Sequence, residues 1–247
     1  MNGINATLYG VDSPNVVKVV IMLEEIAKPY DLRFVSVFKG EQFTPEFLAL
    51  NPLGKVPVLV DPELDRPLAE SGAILLWLAE QSGRFLPRAS GARAEVYQWL
   101  MFQMANVGPM FGQCSHFRML PKGSQPYAAG RYQAQAEALY RILDDRLAAN
   151  EWLAGGVYTI SDMATKPWTD YLERHGLEPL DYPALTAWRQ RVSTRPAVMR
   201  AKQRVFKAFD EHSRRSREAA SAADLDRLFG RTAAMPELDY SSIMGKK

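Results

Sequence analysis

Three short stretches of the chain combine residue types that can handle an amino-acid-like ligand. Lys55-Val56-Pro57 stands before a β-rich run. A proline there can take the cis form, which turns the backbone of Val56 outward and frees its N–H and C=O to pair with an extended peptide. Glu70-Ser71 heads an amphipathic stretch. A helix N-terminus offers unpaired N–H groups to a carboxylate, which suits Ser71, and Glu70 supplies the counter-charge for an ammonium beside it. Together these two fit an α-amino acid head group. Ser13-Pro14-Asn15 precedes another helical pattern, placing a hydroxyl and an amide with two donors at its start. Each stretch also has a plain structural reading as a turn, a strand end or a helix cap. Their order and spacing single them out.

The elements that must carry these residues follow from periodicity. Residues 7–10 read as a short strand that stops at Ser13-Pro14-Asn15. From Val16 to Ala27 the apolar positions Val16, Val19, Val20, Leu23 and Ala27 recur at helical spacing, with Lys18, Glu24 and Glu25 expected on the other side. The stretch 31–38 favours a strand. Thr44-Pro45-Glu46 opens a short helix that Asn51-Pro52-Leu53-Gly54 closes. Residues 56–60 form the next strand, 61–67 a hairpin turn, Leu68-Ala69 a brief return strand, and 73–80 a helix with Ile74, Leu75, Leu78 and Ala79 on its apolar face. The order is βαβ then ββα. Beyond Gly83 helical patterns take over, at about 92–107, 126–149, 161–174, 183–193 and 196–212. The expected division is 1–86, 92–212 and an extension, 213–247, made of a helix and a tail.

Bulk properties narrow the function. The 247 residues carry a formal net charge of only +2, which gives no ground for nucleic-acid binding. Met1-Asn2-Gly3-Ile4-Asn5 lacks the basic start and apolar core of a secretory leader, and no apolar run is long enough to cross a bilayer, so a cytoplasmic location is expected. Cys114 is the only cysteine, which excludes an intrachain disulfide, a CxxC pair and a thiolate zinc site. His116, His175 and His212 show no metal-ligand spacing, so no metal is expected. Any thiol chemistry must bring its sulfur from outside.

Leu8-Tyr9-Gly10, Asn51-Pro52-Leu53-Gly54-Lys55-Val56-Pro57 and Glu70-Ser71-Gly72-Ala73-Ile74 resemble the N-terminal domain of glutathione transferases, in that family's order. The resemblance covers residues 6 to about 212. It implies an α/β thioredoxin-like domain followed by an all-α domain, with glutathione as co-substrate and a homodimer as the assembly. The γ-glutamyl group would lie on Glu70 and Ser71 and the cysteinyl backbone on Val56, beside Lys55. Ser13-Pro14-Asn15, Gly40-Glu41-Gln42-Phe43 and Gly108-Pro109-Met110-Phe111-Gly112-Gln113 are similar to the bacterial Nu class, relatives of a yeast nitrogen regulator. In that class a Thr-Pro-Asn turn replaces the catalytic tyrosine, serine or cysteine of other classes; here Ser13 stands where threonine is usual. The same resemblance implies a contact from Gln42 to the glycyl end, one from Arg131 to a second glutathione, and a place for Asn106 facing the site.

The chemistry is within reach of such groups. A free thiol with a pKa of about 8.5 is a few per cent ionised at neutral pH, and the thiolate is the nucleophile. Lowering that pKa by about two units needs roughly 2.7 kcal/mol, which one or two hydrogen bonds to the anion supply. Asn15 and Ser13, at a helix start, are the candidates for this catalytic role. The implied activity is glutathione-dependent disulfide-bond reduction. Glutathione-dependent aryl-ether cleavage or dehalogenation stays open, with Trp99, Phe102, Met104, Met110, Phe111 and Phe117 as an apolar pocket or simply as core. So does a non-enzymatic glutathione-binding regulator. Thr159 and Asp162 have capping-box spacing, a folding signal rather than a catalytic one. Pro167 is expected to kink the helix that this capping box begins, and whether Asp239-Tyr240 in the tail folds over the active site stays open.

Overall fold

The computed structural model describes residues 5–154 and 156–245; Met1–Ile4, on which the leader reading rests, lie outside them. The first half is built on a three-stranded sheet in the order β2-β1-β3, with β1 at Ala6–Gly10, β2 at Tyr30–Phe34 and β3 at Val58–Val60. β1 pairs parallel with β2, through the crossover helix α1 (Pro14–Ile26), and antiparallel with β3. The expected return strand is reduced to one bridge, Leu59 with Leu68, held by two backbone hydrogen bonds. α2 (Pro45–Leu50) and α3 (Ser71–Ser82) complete this half. The strand expected over 31–38 stops at Phe34. β1 ends at Gly10, so nothing remains to pair with beyond Val35, and the chain turns into a short 3-10 helix at Val37–Lys39.

From Ser90 the chain is helical: α4 (Ser90–Phe102), a π-helical turn at Gln103–Val107, α5 (Gly108–Met119), α6 (Pro126–Ala149), α7 (Ile160–Thr169), α8 (Pro183–Ser193) and α9 (Pro196–Glu218). α5 was not expected, since the helical patterns read from the sequence stop at about 107 and resume at 126. The π turn re-phases the backbone, and Pro109 then falls in the first turn of α5, where its missing N–H costs nothing. Thr159 and Asp162 form the capping box of α7, Tyr158 and Met163 lie in the core, and Pro167 stands inside α7 two residues before its end. α9 runs to Glu218 rather than 212, and α10 (Ala222–Phe229) and α11 (Ser241–Met244) follow. No helix of the described residues is long and apolar enough to cross a membrane.

One buried core spans both halves. Val16, Val19, Val20 and Leu23 of α1 join Leu75 and Leu78 of α3, Met163 and Ala164 of α7, and Val198 and Val205 of α9. Arg195 binds Glu25 at 2.6 Å, while Arg200 and Arg204 bind Glu24 at 2.7 and 2.9 Å. α1 is therefore enclosed by α3, α7 and α9, and its first turn is fixed from several sides.

Candidate active site

The turn from β1 into α1 is set by close packing. A Cβ at Gly10 would lie 2.7 Å from Val16 Cγ1, so only glycine lets the first turn of α1 approach the strand end this closely. From the far side, Ser213 of α9 donates to Asp12 Oδ1, and Ser36 shares a 2.7 Å hydrogen bond with Ser216. Burial raises the Asp12 carboxyl above its ordinary range, against the Ser213 bond that lowers it.

Asn15 stands in the first turn of α1, half-buried. Its Oδ1 accepts the indole N–H of Trp168, from α7, at 3.1 Å. An indole nitrogen can only donate, so this bond fixes which end of the amide is oxygen and leaves the Nδ2 amino group, with two donors, without a hydrogen bond among the described residues. Ser13 Oγ, the N-cap hydroxyl, is buried and has no hydrogen-bond partner among the described residues. An orphaned hydroxyl and an amide with unused donors thus share one helix start, where the dipole favours an anion. Trp168 was not anticipated. It lies 153 positions from Asn15, in the last turn of an α7 whose residues are all buried, and no local pattern points to it.

The edge expected to take an extended peptide belongs to the same half. The Val56–Pro57 bond is cis, and none of the described backbone hydrogen bonds uses the N–H or C=O of Val56. Asn51 Nδ2 donates to Lys55 O at 2.8 Å and shapes the loop, and Lys55 itself is exposed. Gly54, at φ +63°, sits where a Cβ would lie 3.0 Å from Gln42 O, which brings the Lys55-Val56 turn onto the Gln42-Phe43 segment. Gln42 is buried, donates from Nε2 to Val37 O at 3.0 Å, and has an Oε1 without a partner.

Glu70 is exposed and adopts φ 64°, ψ 106°, a region that costs a non-glycine residue roughly 1–3 kcal/mol. Such strain gathers at functional sites. Its C=O accepts Ile74 N–H and opens α3, while its carboxylate stays free of hydrogen bonds among the described residues. Ser71 is buried at the first position of α3, its hydroxyl directed at Met104 Sδ, 3.9 Å away. Met104 belongs to the π turn, and Asn106 lies exposed two residues on.

Lys18 corrects the sequence reading. Expected on the polar side of α1, it is fully buried, because α3, α7 and α9 leave that helix no solvent face. Its Nζ donates to Gln103 Oε1 at 2.9 Å and lies 3.3 Å from Met104 Sδ. Burial draws its pKa down to about 7, with Glu70 acting the other way. A single lysine inside the run Val16-Val17-Lys18-Val19-Val20-Ile21 was the signal available.

Arg131 has no hydrogen bond or ion pair to the other candidates among the described residues. It lies on the exposed face of α6, in an open groove of about 600 Å³ lined by Tyr127, Gly130, Ala134 and Ala138 of the same helix. Of the apolar pocket candidates, Phe111 is fully buried and stacks on Tyr140 with centroids 4.1 Å apart. Trp99 packs edge-on to Phe102, and Phe117 stacks on Tyr132. His175 is buried between Ser115 and Tyr140, whereas His116 meets Phe229 of α10.

α10 lies across the segment that carries Gln42. Asp224 binds Lys39 at 2.6 Å, Arg227 stands 4.7 Å over the Phe43 ring, and Arg217 stands 5.3 Å over Phe38. Phe229 reaches His116 on α5, so α10 links the two halves at this edge. Tyr240 turns inward to bond Asp226 at 2.8 Å, in a small core with Leu225 and Ile243, and so does not run toward Asn15.

Residues 12–81 match the glutathione S-transferase N-terminal domain and residues 111–196 the C-terminal domain. The disulfide-bond oxidoreductase YfcG of Escherichia coli K12 is 41% identical over 199 residues, spanning 78% of this chain and 93% of its own. The chain is a glutathione transferase. Its likeness extends to the disulfide-bond oxidoreductase YghU of the same bacterium, 36% identical over 79% of this transferase and 73% of that protein. Both are Nu-class proteins. Among solved structures, a family member from Pseudomonas fluorescens Pf-5 with two glutathione bound shares 41% identity at TM-score 0.74, covering 80% of this transferase and 92% of that chain. A Pseudomonas putida transferase with one glutathione disulfide bound per subunit shares 35% at TM-score 0.75, covering 81% and 91%. The fold is accordingly a thioredoxin-like domain followed by the helical transferase domain.

Proposed function

We propose that this transferase uses glutathione to reduce disulfide bonds. The observation that carries the reading is the Asn15 amide, held by Trp168 so that its donors are free at a helix N-terminus beside the unpartnered Ser13 hydroxyl. Glutathione would lie with its γ-glutamyl head on Glu70 and Ser71, its cysteinyl backbone on Val56, its glycyl end toward Gln42 and Lys55, and its sulfur at Asn15 and Ser13. The unpaired backbone of Val56 and the free carboxylate of Glu70 suit that ligand.

The thiolate attacks one sulfur of a disulfide, forms a mixed disulfide with glutathione and releases the other sulfur as a thiolate, which takes up a proton. A second glutathione thiolate then attacks the glutathione sulfur of the mixed disulfide. Glutathione disulfide forms and the second substrate thiol leaves. Two glutathione molecules and one disulfide become one glutathione disulfide and two thiols, and the protein contributes alignment and sulfur ionisation. Relatives solved with two glutathione molecules or with glutathione disulfide support a paired site. Asn106 and Arg131 are proposed for the second molecule. No described contact ties Arg131 to the cleft, so its part stands on the resemblance. The assembly is proposed to be a homodimer, and the working units 1–86, 92–212 and the extension 213–247.

The test is a panel containing a small dialkyl disulfide, a chloronitrobenzene and an aryl ether, each with glutathione. Turnover of the disulfide well above the other two is expected. Turnover confined to the aromatic substrates, or glutathione binding with no turnover of any of the three, would overturn the reading.

A further inference from the structure

Lys18 follows Asn15 by three residues on α1, so the two side chains share one face of the helix. The Lys18 ammonium is fully buried, and among the described residues it forms no ion pair. Its contacts are Gln103 Oε1 and Met104 Sδ, both from the π turn, and Met104 Sδ is also the neighbour of the Ser71 hydroxyl. Gln103 is itself fully buried, with an Nε2 that has no partner. Lys18 therefore ties α1 to the π turn, and Met104 of that turn also neighbours Ser71 at the head of α3; these three elements carry Asn15, Asn106 and Ser71.

Stability gives no reason for this arrangement. A buried ammonium without a carboxylate in contact is among the costliest placements a fold can make, and an unbranched apolar side chain would fill the same volume at lower cost. Its charge has a use, however. A cation close to an ionising sulfur favours the thiolate, and the effect strengthens where water is excluded.

We propose that Lys18 is a positioning residue of the glutathione site, its buried ammonium fastening the π turn to α1 and supplying positive potential that favours an ionised sulfur at Asn15. This rests on the reading that Asn15 meets the glutathione sulfur. The one charged group acting on Lys18 is Glu70, from α3. Its π-turn contacts, Gln103 and Met104, are neutral; Lys166 of α7 and Lys202 of α9 are engaged with Asp170, Arg200 and Arg204 of α9 with Glu24, and Arg195 at the head of α9 with Glu25. Because burial draws the Lys18 pKa to about 7, its charge, and so its help to the thiolate, declines as pH rises through neutrality.

The decisive quantity is the pKa of glutathione bound to the full-length protein, read from the ultraviolet absorbance of the thiolate. Lys18→Met is expected to raise it by about one unit, which slows turnover about tenfold near pH 6 and leaves it nearly unchanged where the thiol is already ionised. An unchanged bound-thiol pKa overturns the proposal. If Asn15→Ala also leaves it unchanged, the site reading fails as well; if only Lys18→Met does, the role of Lys18 fails alone. A second measurement needs no variant. Linkage requires that a thiolate raise the pKa of the cation that stabilises it. Nuclear magnetic resonance of ε-carbon-labelled lysine should show the Lys18 titration moving to higher pH with glutathione but not with S-methylglutathione. Equal shifts with both ligands overturn the proposal.

Discussion

The indole N–H of Trp168 does one identifiable thing at the site: it occupies Asn15 Oδ1 at 3.1 Å and so orients the amide. Trp168→Phe removes that donor while keeping an aromatic ring on the side of Gly112, where an added Cβ would lie 3.6 Å from the tryptophan ring edge. A hydrogen bond of this kind contributes a net 0.5–1.5 kcal/mol, about 1 kcal/mol at the centre of the range. Without it the two amide orientations become close in energy, and a large share of molecules would turn Oδ1, an acceptor, toward the anionic sulfur. Loss of about 1 kcal/mol of preorganisation corresponds to roughly a fivefold fall in kcat/KM. Asn15→Ala, which removes a hydrogen bond to the anion worth about 1.5–3 kcal/mol, should cost about ten- to a hundredfold. The assay is glutathione-dependent reduction of a small disulfide, with the pair run as a double-mutant cycle. If Trp168 acts through Asn15, adding Trp168→Phe to Asn15→Ala costs nothing more. A fivefold loss in that background too would refute the reasoning and assign Trp168 to packing alone.

Burial holds the His175 pKa at about 4, with the nearby Arg118 adding to the fall, while an exposed histidine takes up its proton near 6.5. The unfolded chain therefore binds this proton first: the contribution to stability is complete above about pH 6.5 and is lost as pH falls toward 4, with a ceiling of about 3 kcal/mol before solvent screening. Denaturant midpoints at neutral and mildly acidic pH should fall less for His175→Phe than for the wild type, and parallel falls would count against the assignment. Asp162 accepts from Leu153 N, Thr159 N and Trp188 Nε1 at 2.9–3.1 Å, so Asp162→Ala orphans three buried donors. It should cost at least about 3 kcal/mol of stability by calorimetry while leaving the bound-thiol pKa alone. Arg227→Ala with Phe229→Ala releases α10 from Phe43 and His116. If α10 holds the Gln42 segment in order, the KM for glutathione should rise about fivefold, one ordered segment's worth at about 1 kcal/mol, with kcat preserved; an unchanged KM would show that the segment orders itself.

The local motifs were readable in the sequence because their physics is local. Val56-Pro57 before a strand, Glu70-Ser71 before a helix and Ser13-Pro14-Asn15 after a strand each need only a few neighbouring residues to take their shape, and their order carried the family. Helices with a solvent face, such as α6 and α8, announced themselves by periodicity. Where an element's surroundings decide, the pattern failed. Lys18 looked like a polar-face residue because periodicity records residue type and not what packs around the helix; enclosure of α1 by α3, α7 and α9 turned it into a buried cation. The strand after Asp31 looked long enough to reach Phe38 but had no partner past Gly10, and the helix expected to end at about 107 passes through the π turn into α5. The orientation of Asn15 belongs wholly to tertiary structure. Its sequence neighbours place the side chain at the helix start, but the donor that decides which end faces the ligand arrives from Trp168, 153 residues away, across the boundary between the two halves.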